Sequence, residues 1–144
     1  MTTRADVVRV ARSYIGTPYH HQGRVPSVGL DCAGVLICTG RELMLIAPDF
    51  DVPAYSLSPD GSLIKWCDQY MGPEVSQAAM QAGDAVIASV ETEPQHMGIL
   101  TNHVYGCFGI IHSTSFANAG VIETRLMFSR VMKFVAAYTL PGIT

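Results

Sequence analysis

Long apolar runs, clusters of positive charge and closely spaced cysteine pairs are all missing from this sequence of 144 residues. No run of about 18 apolar residues occurs, which excludes a membrane-spanning helix. Lysine and arginine form no cluster and the formal net charge is −3, so the basic surface needed for nucleic-acid binding is also missing. Only 15% of the residues are charged and 49% are hydrophobic, which excludes a disordered chain.

The cysteines and histidines are scattered rather than grouped. The four cysteines are not spaced as C-x-x-C, and the five histidines show no ligand spacing. This pattern argues against structural zinc and against a disulfide framework. Three of the cysteines are interpreted as small buried apolar residues, namely Cys38, Cys67 and Cys107. We therefore expect no metal.

The length of the chain fits one domain, and we expect a single domain over residues 1–144. A domain of this size buries roughly 68–70% of the surface that its unfolded chain exposes, so it needs no covalent staple. The N-terminal residues are polar and lack the apolar segment of a signal peptide. We expect a protein that is cytoplasmic as synthesised and is delivered by another component if it acts outside.

Hydrophobic periodicity divides the chain into a helical front and a strand-rich back. Helical spacing predicts helices over 3–15, 32–46 and 62–71, with Gly- and Pro-rich loops over 17–30 and 47–61. A period of two predicts strands over 84–90, 96–101, 108–114, 120–126 and 132–140. Helices followed by antiparallel strands indicate an α+β domain, with N-terminal helices packed on a C-terminal sheet of about five to six strands.

Cys32 is the candidate nucleophile. It lies in the first turn of the second predicted helix, directly after a loop that contains glycine. Thiolate is the reactive form of cysteine, and the free N–H groups and dipole of a helix N-terminus stabilise its negative charge. Gly29 and Gly34 leave room for a substrate backbone. The alternative interpretation is a buried helix cysteine that only packs.

A cysteine nucleophile needs a base that is itself oriented by a third group. Of the five histidines, only His96 and His112 fall in predicted strands. If Thr101 lies opposite Cys107 in a hairpin with a loop at 102–106, His96 lies directly opposite His112 on one face. We predict that the two are base and orienting partner. A register slip of one residue would place the two side chains on opposite faces of the sheet. The alternative interpretation of each histidine is a purely structural role.

Four residues close to Cys32 in sequence complete the candidate site. Tyr19 is a candidate hydrogen-bond donor to the oxyanion that forms when a thiolate attacks a carbonyl, together with the backbone N–H of Cys32. His20 and His21 are candidates for lining a substrate groove. Asp31 is expected to cap the second helix, and its place beside the nucleophile also makes it a candidate substrate-binding residue. The alternatives are a packing role for Tyr19 and incidental loop positions for the two histidines.

Short segments along most of the chain, from about residue 5 to residue 138, resemble those of NlpC-type cell-wall peptidases, a family of compact papain-like enzymes. They resemble the nucleophile region, the strand of the catalytic histidine and the strand of the third polar residue. The segments are IGTPY (15–19), GLDCAG (29–34), AGDAV (82–86), HMGIL (96–100) and IIHS (110–113).

The resemblance implies a papain-like fold and a thiol protease with Cys32, His96 and His112 on its catalytic positions and Tyr19 at its oxyanion site. Such an enzyme hydrolyses amide bonds in peptidoglycan stem peptides, often between D-glutamate and a diamino acid. The implied steps are attack by thiolate, an acyl-enzyme at Cys32 and hydrolysis by water that His96 activates. No cofactor is implied.

Two positions depart from the family pattern. Ala33 replaces a common serine, and HHQG at 20–23 replaces an aromatic residue followed by paired glycines. The second departure resembles members found in phage tails and gene-transfer-agent particles, which implies particle proteins as partners and delivery to the periplasm or cell wall. Two other functions stay open. One is a papain-like amidase or acyltransferase on another substrate, which an apolar groove would favour, and the other is a non-catalytic tail module.

Overall fold

The computed structural model describes residues 1–57, 60–90, 93–103 and 106–143. Its helices are α1 (Arg4–Ser13), α2 (Cys32–Glu42) and α3 (Ser62–Tyr70). Its strands are β1 (Arg24–Val25), β2 (Gly29–Leu30), β3 (Glu74–Val75), β4 (Ala85–Val90), β5 (Glu93–Asn102), β6 (Phe108–Thr114), β7 (Gly120–Arg125) and β8 (Met132–Tyr138). No helix in the described part of the chain is long and apolar enough to cross a membrane.

The three predicted helices and five predicted strands are confirmed, with small differences at their ends. Helix α2 ends at Glu42 rather than at residue 46, and Met44 directly beyond it has a φ of 57°, which a helix does not allow. Strands β1 and β2 form a short hairpin inside the predicted loop 17–30. Strands of two residues give no periodicity, which is why the sequence pattern does not reveal them.

Six strands form one antiparallel sheet in the order β3-β8-β4-β5-β6-β7, which confirms the predicted α+β class. Helices α1 and α2 pack on one face of this sheet, where Val7, Val35, Ile87, Ile99 and Ile111 have no exposed surface. Alternate strand residues form a smaller cluster on the other face. The N-terminus of α2 is thereby held beside β5 and β6.

The predicted register of the β5–β6 hairpin is wrong by two residues. Thr101 lies opposite Gly109 rather than Cys107. A Cβ atom at position 109 would lie 2.4 Å from Thr101 Oγ1, so a glycine fits this position and a larger residue does not. Because the shift is even, no side chain changes face. His96 and His112 still share a face, but as diagonal neighbours rather than direct partners.

Candidate active site

Helix α2 begins at Cys32 because Asp31 ends the preceding extended segment and caps the helix. Asp31 has a φ of −96° and a ψ of −172°, and its carboxylate accepts a hydrogen bond of 2.8 Å from the backbone N–H of Gly34. The predicted capping role is therefore confirmed. The thiol of Cys32 is half-buried at this helix start, where the backbone N–H groups of Met97, Ala33 and Cys32 itself act to lower its pKa.

Two contacts join the nucleophile segment to the strands that carry the histidines. Met97, the neighbour of His96 on β5, belongs to the buried core cluster against which Cys32 packs, and its backbone N–H acts to lower the pKa of the Cys32 thiol. The hydroxyl of Ser113, the neighbour of His112 on β6, donates a hydrogen bond of 2.6 Å to the carbonyl of Leu30. These contacts bring together residues that lie far apart in the sequence.

The imidazoles of His96 and His112 are in direct contact. Nε2 of His96 lies 2.5 Å from Nδ1 of His112, with ring centroids 4.8 Å apart and ring planes at 74°. His112 is 9% exposed, and its Nε2 lies 3.1 Å from Thr124 Oγ1 on β7. The ring of His112 therefore holds the ring of His96 in one orientation. In a cysteine catalytic site, the group that orients the base has this role.

Burial keeps both reacting groups neutral in the resting protein. It raises the pKa of the Cys32 thiol to about 11, with a further contribution from the Asp31 carboxylate, and the N–H groups at the sulfur oppose this rise. Burial also lowers the pKa of His96 to about 4, with His112 as the second cause. At neutral pH Cys32 is therefore a thiol and His96 is an unprotonated imidazole.

We expect the ultraviolet absorbance of the Cys32 thiolate to be absent at neutral pH and to rise only as the pH approaches 11, because the pKa of this thiol is raised. The measurement is a pH titration of wild type minus Cys32→Ala, which removes the signals of the other cysteines. A thiolate signal already present in mild acid would contradict this and would indicate a thiolate–imidazolium pair.

Backbone hydrogen bonds place Tyr19 beside the nucleophile segment. Tyr19 forms a parallel bridge with Leu30, since the Leu30 N–H donates to the Pro18 carbonyl at 3.0 Å and the His20 N–H donates to the Leu30 carbonyl at 3.2 Å. Burial is the main cause that raises the pKa of the half-buried phenol, followed by the Asp31 carboxylate and by Cys32 once its thiol is ionised. Its hydroxyl stays protonated and can donate a hydrogen bond at the nucleophile.

The two loop histidines lie beside Tyr19 but are held differently. His20 is exposed, and its Nδ1–H donates to the backbone carbonyl of His21 at 2.9 Å. His21 Nε2–H donates to the carbonyl of Tyr55 at 3.0 Å, and the two rings meet edge to face at 5.3 Å. His21 thus anchors the loop that contains Tyr55. Contact of either histidine with a substrate stays a prediction.

The carboxylate of Asp31 is fully occupied by donors of this chain. Besides Gly34, it accepts hydrogen bonds from Arg24 Nη1 at 2.9 Å, from the Gln22 backbone N–H at 2.8 Å and from the Tyr55 hydroxyl. Asp31 is only 2% exposed. Its observed contacts hold the nucleophile loop in place, and the predicted contact with a substrate stays a prediction.

Sequence patterns do not identify Arg24, Tyr55 or Thr124 as parts of this site. An N-cap aspartate buried at a helix start signals that a positive partner is needed, but not which arginine supplies it. Thr124 shares a face with His112 because Ile110 lies opposite Thr124 and Ile122 lies opposite His112. That relation becomes visible only once the pairing of β6 and β7 is known.

Two cavities in the described structure differ in their distance from Cys32. An apolar cavity of about 70 Å³ lies between α2 and α3 and is lined by Ala33 and Met97 among others. A wider cleft of about 740 Å³ borders α1 and reaches Asn102. Asn102 is six residues from His96 along β5, roughly 20 Å for an extended strand, so the larger cleft is remote from the candidate site.

Two solved structures are similar to this fold. One is the NlpC/p60 domain of the peptidoglycan hydrolase SagA, with a TM-score of 0.66 and 20% identity over 96% of this chain and 100% of that chain. The other is a lipoprotein-like protein of the NLP/P60 family from Staphylococcus aureus, with a TM-score of 0.63 and 16% identity over 95% of this chain and 41% of that chain. No family model and no curated protein matches the sequence. The chain therefore has the papain-like NlpC/p60 fold, as predicted, and its activity has to be argued from the site.

Proposed function

We propose that this protein is a cysteine peptidase that hydrolyses amide bonds in peptidoglycan stem peptides. Two observations carry the proposal together. Cys32 lies at the N-terminus of α2, beside the strand that contains His96, and the ring of His96 contacts the ring of His112. The similarity in fold to a domain of a peptidoglycan hydrolase supports the substrate class. By resemblance, we propose the bond between D-glutamate and a diamino acid.

The proposed reaction has two stages. The sulfur of Cys32 attacks the amide carbon while His96 takes the thiol proton, and Tyr19 and the Cys32 backbone N–H donate to the oxyanion. The C–N bond then breaks, and His96 gives its proton to the leaving amine. In the second stage His96 takes a proton from water, whose oxygen attacks the acyl-enzyme. The carboxylic acid product leaves, and the thiol regains its proton.

The lowered pKa of His96 leaves the ring unprotonated at neutral pH and also makes it a weaker base than a free imidazole. With a pKa of about 4 the imidazole is unprotonated at neutral pH and can accept the thiol proton. The contact with His112 supports the imidazolium that forms, because a charged ring needs an acceptor for its second N–H. Because the thiol pKa is raised, we propose that catalysis depends on proton removal by His96 during the attack rather than on a preformed thiolate.

An amidase or acyltransferase acting on lipids is the competing function with the same nucleophile. It would require an apolar groove for an acyl chain. The cavity between α2 and α3 lies beside Ala33 and is lined by apolar side chains such as Leu36 and Trp66. Its apolar lining is what a lipid substrate would need, so release of peptides from peptidoglycan is the measurement that separates the two functions.

The biological setting is proposed from the resemblance. The segment at 20–23 is similar to members of phage tails and gene-transfer-agent particles. We propose that the protein is carried by such a particle to the periplasm or cell wall, where its substrate lies. Copurification with particle proteins after expression in a host that produces the particle would test this setting separately from the chemistry.

The proposed activity is tested by digesting purified peptidoglycan with wild type, Cys32→Ala and Cys107→Ala, followed by mass spectrometry of released peptides. We expect peptides from wild type and from Cys107→Ala and none from Cys32→Ala, and their masses identify the bond. Peptides from Cys32→Ala would exclude Cys32 as nucleophile. Folded wild type that releases nothing but reacts with an electrophilic thiol probe at Cys32 would indicate another acyl substrate, and no reaction at all would indicate a binding module.

A further inference from the structure

Two hydrogen bonds connect three side chains on three adjacent strands of the sheet. Nε2 of His96 on β5 lies 2.5 Å from Nδ1 of His112 on β6, and Nε2 of His112 lies 3.1 Å from Oγ1 of Thr124 on β7. The first contact belongs to the proposed catalytic site. Neither the sequence patterns nor the similar structures assign a role to Thr124.

The direction of these two hydrogen bonds decides whether His96 is able to act as a base. A neutral imidazole has one N–H donor and one nitrogen acceptor. Since Nε2 of His96 is already bonded to His112, only Nδ1 of His96 remains to accept the thiol proton. That nitrogen is free only if His96 carries its proton on Nε2 and donates it to Nδ1 of His112.

His112 accepts this bond only if its own proton is on Nε2, and Nε2–H then needs an acceptor. His112 is 9% exposed, so a bare N–H at this position is disfavoured. Thr124 Oγ1 lies within hydrogen-bond distance of Nε2, and Thr124 is exposed, so its own hydroxyl hydrogen can point to solvent. If the hydroxyl donated instead, both histidines would be protonated on Nδ1 and His96 would have no nitrogen left to accept a proton.

We propose that Thr124 is a positioning residue: by accepting the Nε2 proton of His112 it sets the tautomers of both histidines and leaves Nδ1 of His96 as the base. The catalytic consequence rests on the proposed function. The tautomers themselves are a property of the resting protein, and they are measurable without any substrate.

The test compares Thr124→Val, which keeps the shape and removes the hydroxyl, with Thr124→Ser, which keeps the hydroxyl. Nitrogen-15 chemical shifts of the histidine rings at neutral pH report which nitrogen carries the proton. We expect protonation on Nε2 of His96 and His112 in wild type and Thr124→Ser, and a shift toward Nδ1 of both rings in Thr124→Val. We also expect kcat to fall roughly 10- to 100-fold in Thr124→Val with KM little changed, as for other residues that orient a reacting group through a second one.

Wild-type rings protonated on Nδ1, or Thr124→Val shifts identical to those of wild type, would overturn the proposal. A loss of kcat in Thr124→Ser equal to that in Thr124→Val would overturn it as well, because the effect would then be one of packing. If wild type cleaves no peptidoglycan, the ring shifts still decide the role of Thr124. The rate of Cys32 alkylation by iodoacetamide then replaces kcat as the functional readout, with the same expected order of variants.

Discussion

His96→Ala is expected to lower peptide release from peptidoglycan by roughly 10⁴-fold at neutral pH, at the upper end of the range for a general base. The raised pKa of the Cys32 thiol gives the reason. A thiol with a pKa of about 11 is ionised in about one molecule in 10⁴ at neutral pH. Without an imidazole to take the proton, only that fraction reacts. The measurement is the initial rate of peptide release by mass spectrometry.

The pH dependence of the same variant gives a sharper test. The rate of His96→Ala should rise with pH as the thiolate fraction increases toward pH 11, whereas wild type should gain little above neutral pH because His96 is already unprotonated. His103→Ala, one residue beyond the end of β5, serves as the matched control and should keep the wild-type rate. A His96→Ala variant with an undiminished rate, or with a rate that does not rise with pH, would contradict the role of His96 as the base.

Asp31→Ala is expected to cost about 3–5 kcal/mol of the free energy of unfolding, the range for breaking a buried ion pair from one side. The side chain of Arg24 is 11% exposed and that of Asp31 is 3% exposed. In the variant the guanidinium of Arg24 would stay buried without the carboxylate that compensates its charge. The backbone N–H groups of Gly34 and Gln22 would lose their acceptor as well. Urea unfolding followed by circular dichroism measures the loss.

A double-mutant cycle separates the ion pair from the helix cap. Arg24→Met combined with Asp31→Ala should be less destabilised than the sum of the two single variants, because the second change removes the uncompensated charge. Asp49→Ala, an exposed carboxylate in the same half of the chain, should change stability by no more than about 0.5 kcal/mol. A small effect of Asp31→Ala would show that the network around Asp31 contributes little to folding.

The parts of the fold that sequence patterns predict are those with a long enough periodic signal. Strands β4 to β8 and helices α1 to α3 each span six residues or more, so their apolar faces repeat several times. Strands β1, β2 and β3 have two residues each, and no period can be recognised in them. The β5–β6 register places Gly109 opposite Thr101, a pairing between strands that neither strand's own pattern contains.

Some features of the candidate site also follow from local sequence, whereas others depend on contacts between distant segments. Asp31 as a cap and Cys32 at the helix start follow from local chemistry, because an N-cap residue and its helix are neighbours in sequence. The contact of His96 with His112 is predictable only as a shared face, and its diagonal geometry required the observed register. Neither Arg24 as the partner of Asp31 nor Thr124 as the partner of His112 follows from any local pattern.

The amino-acid sequence by itself determined the α+β class, the start of α2 at Cys32 and the set of residues able to carry thiol chemistry, since these depend on periodicity and on neighbours along the chain. Only the tertiary structure decided the ionisation of the site, because the burial that raises the pKa of Cys32 and lowers that of His96 comes from elements distant in sequence. The tertiary structure also decided the hydrogen bonds from His96 to Thr124, since they cross three strands whose alignment depends on packing between them.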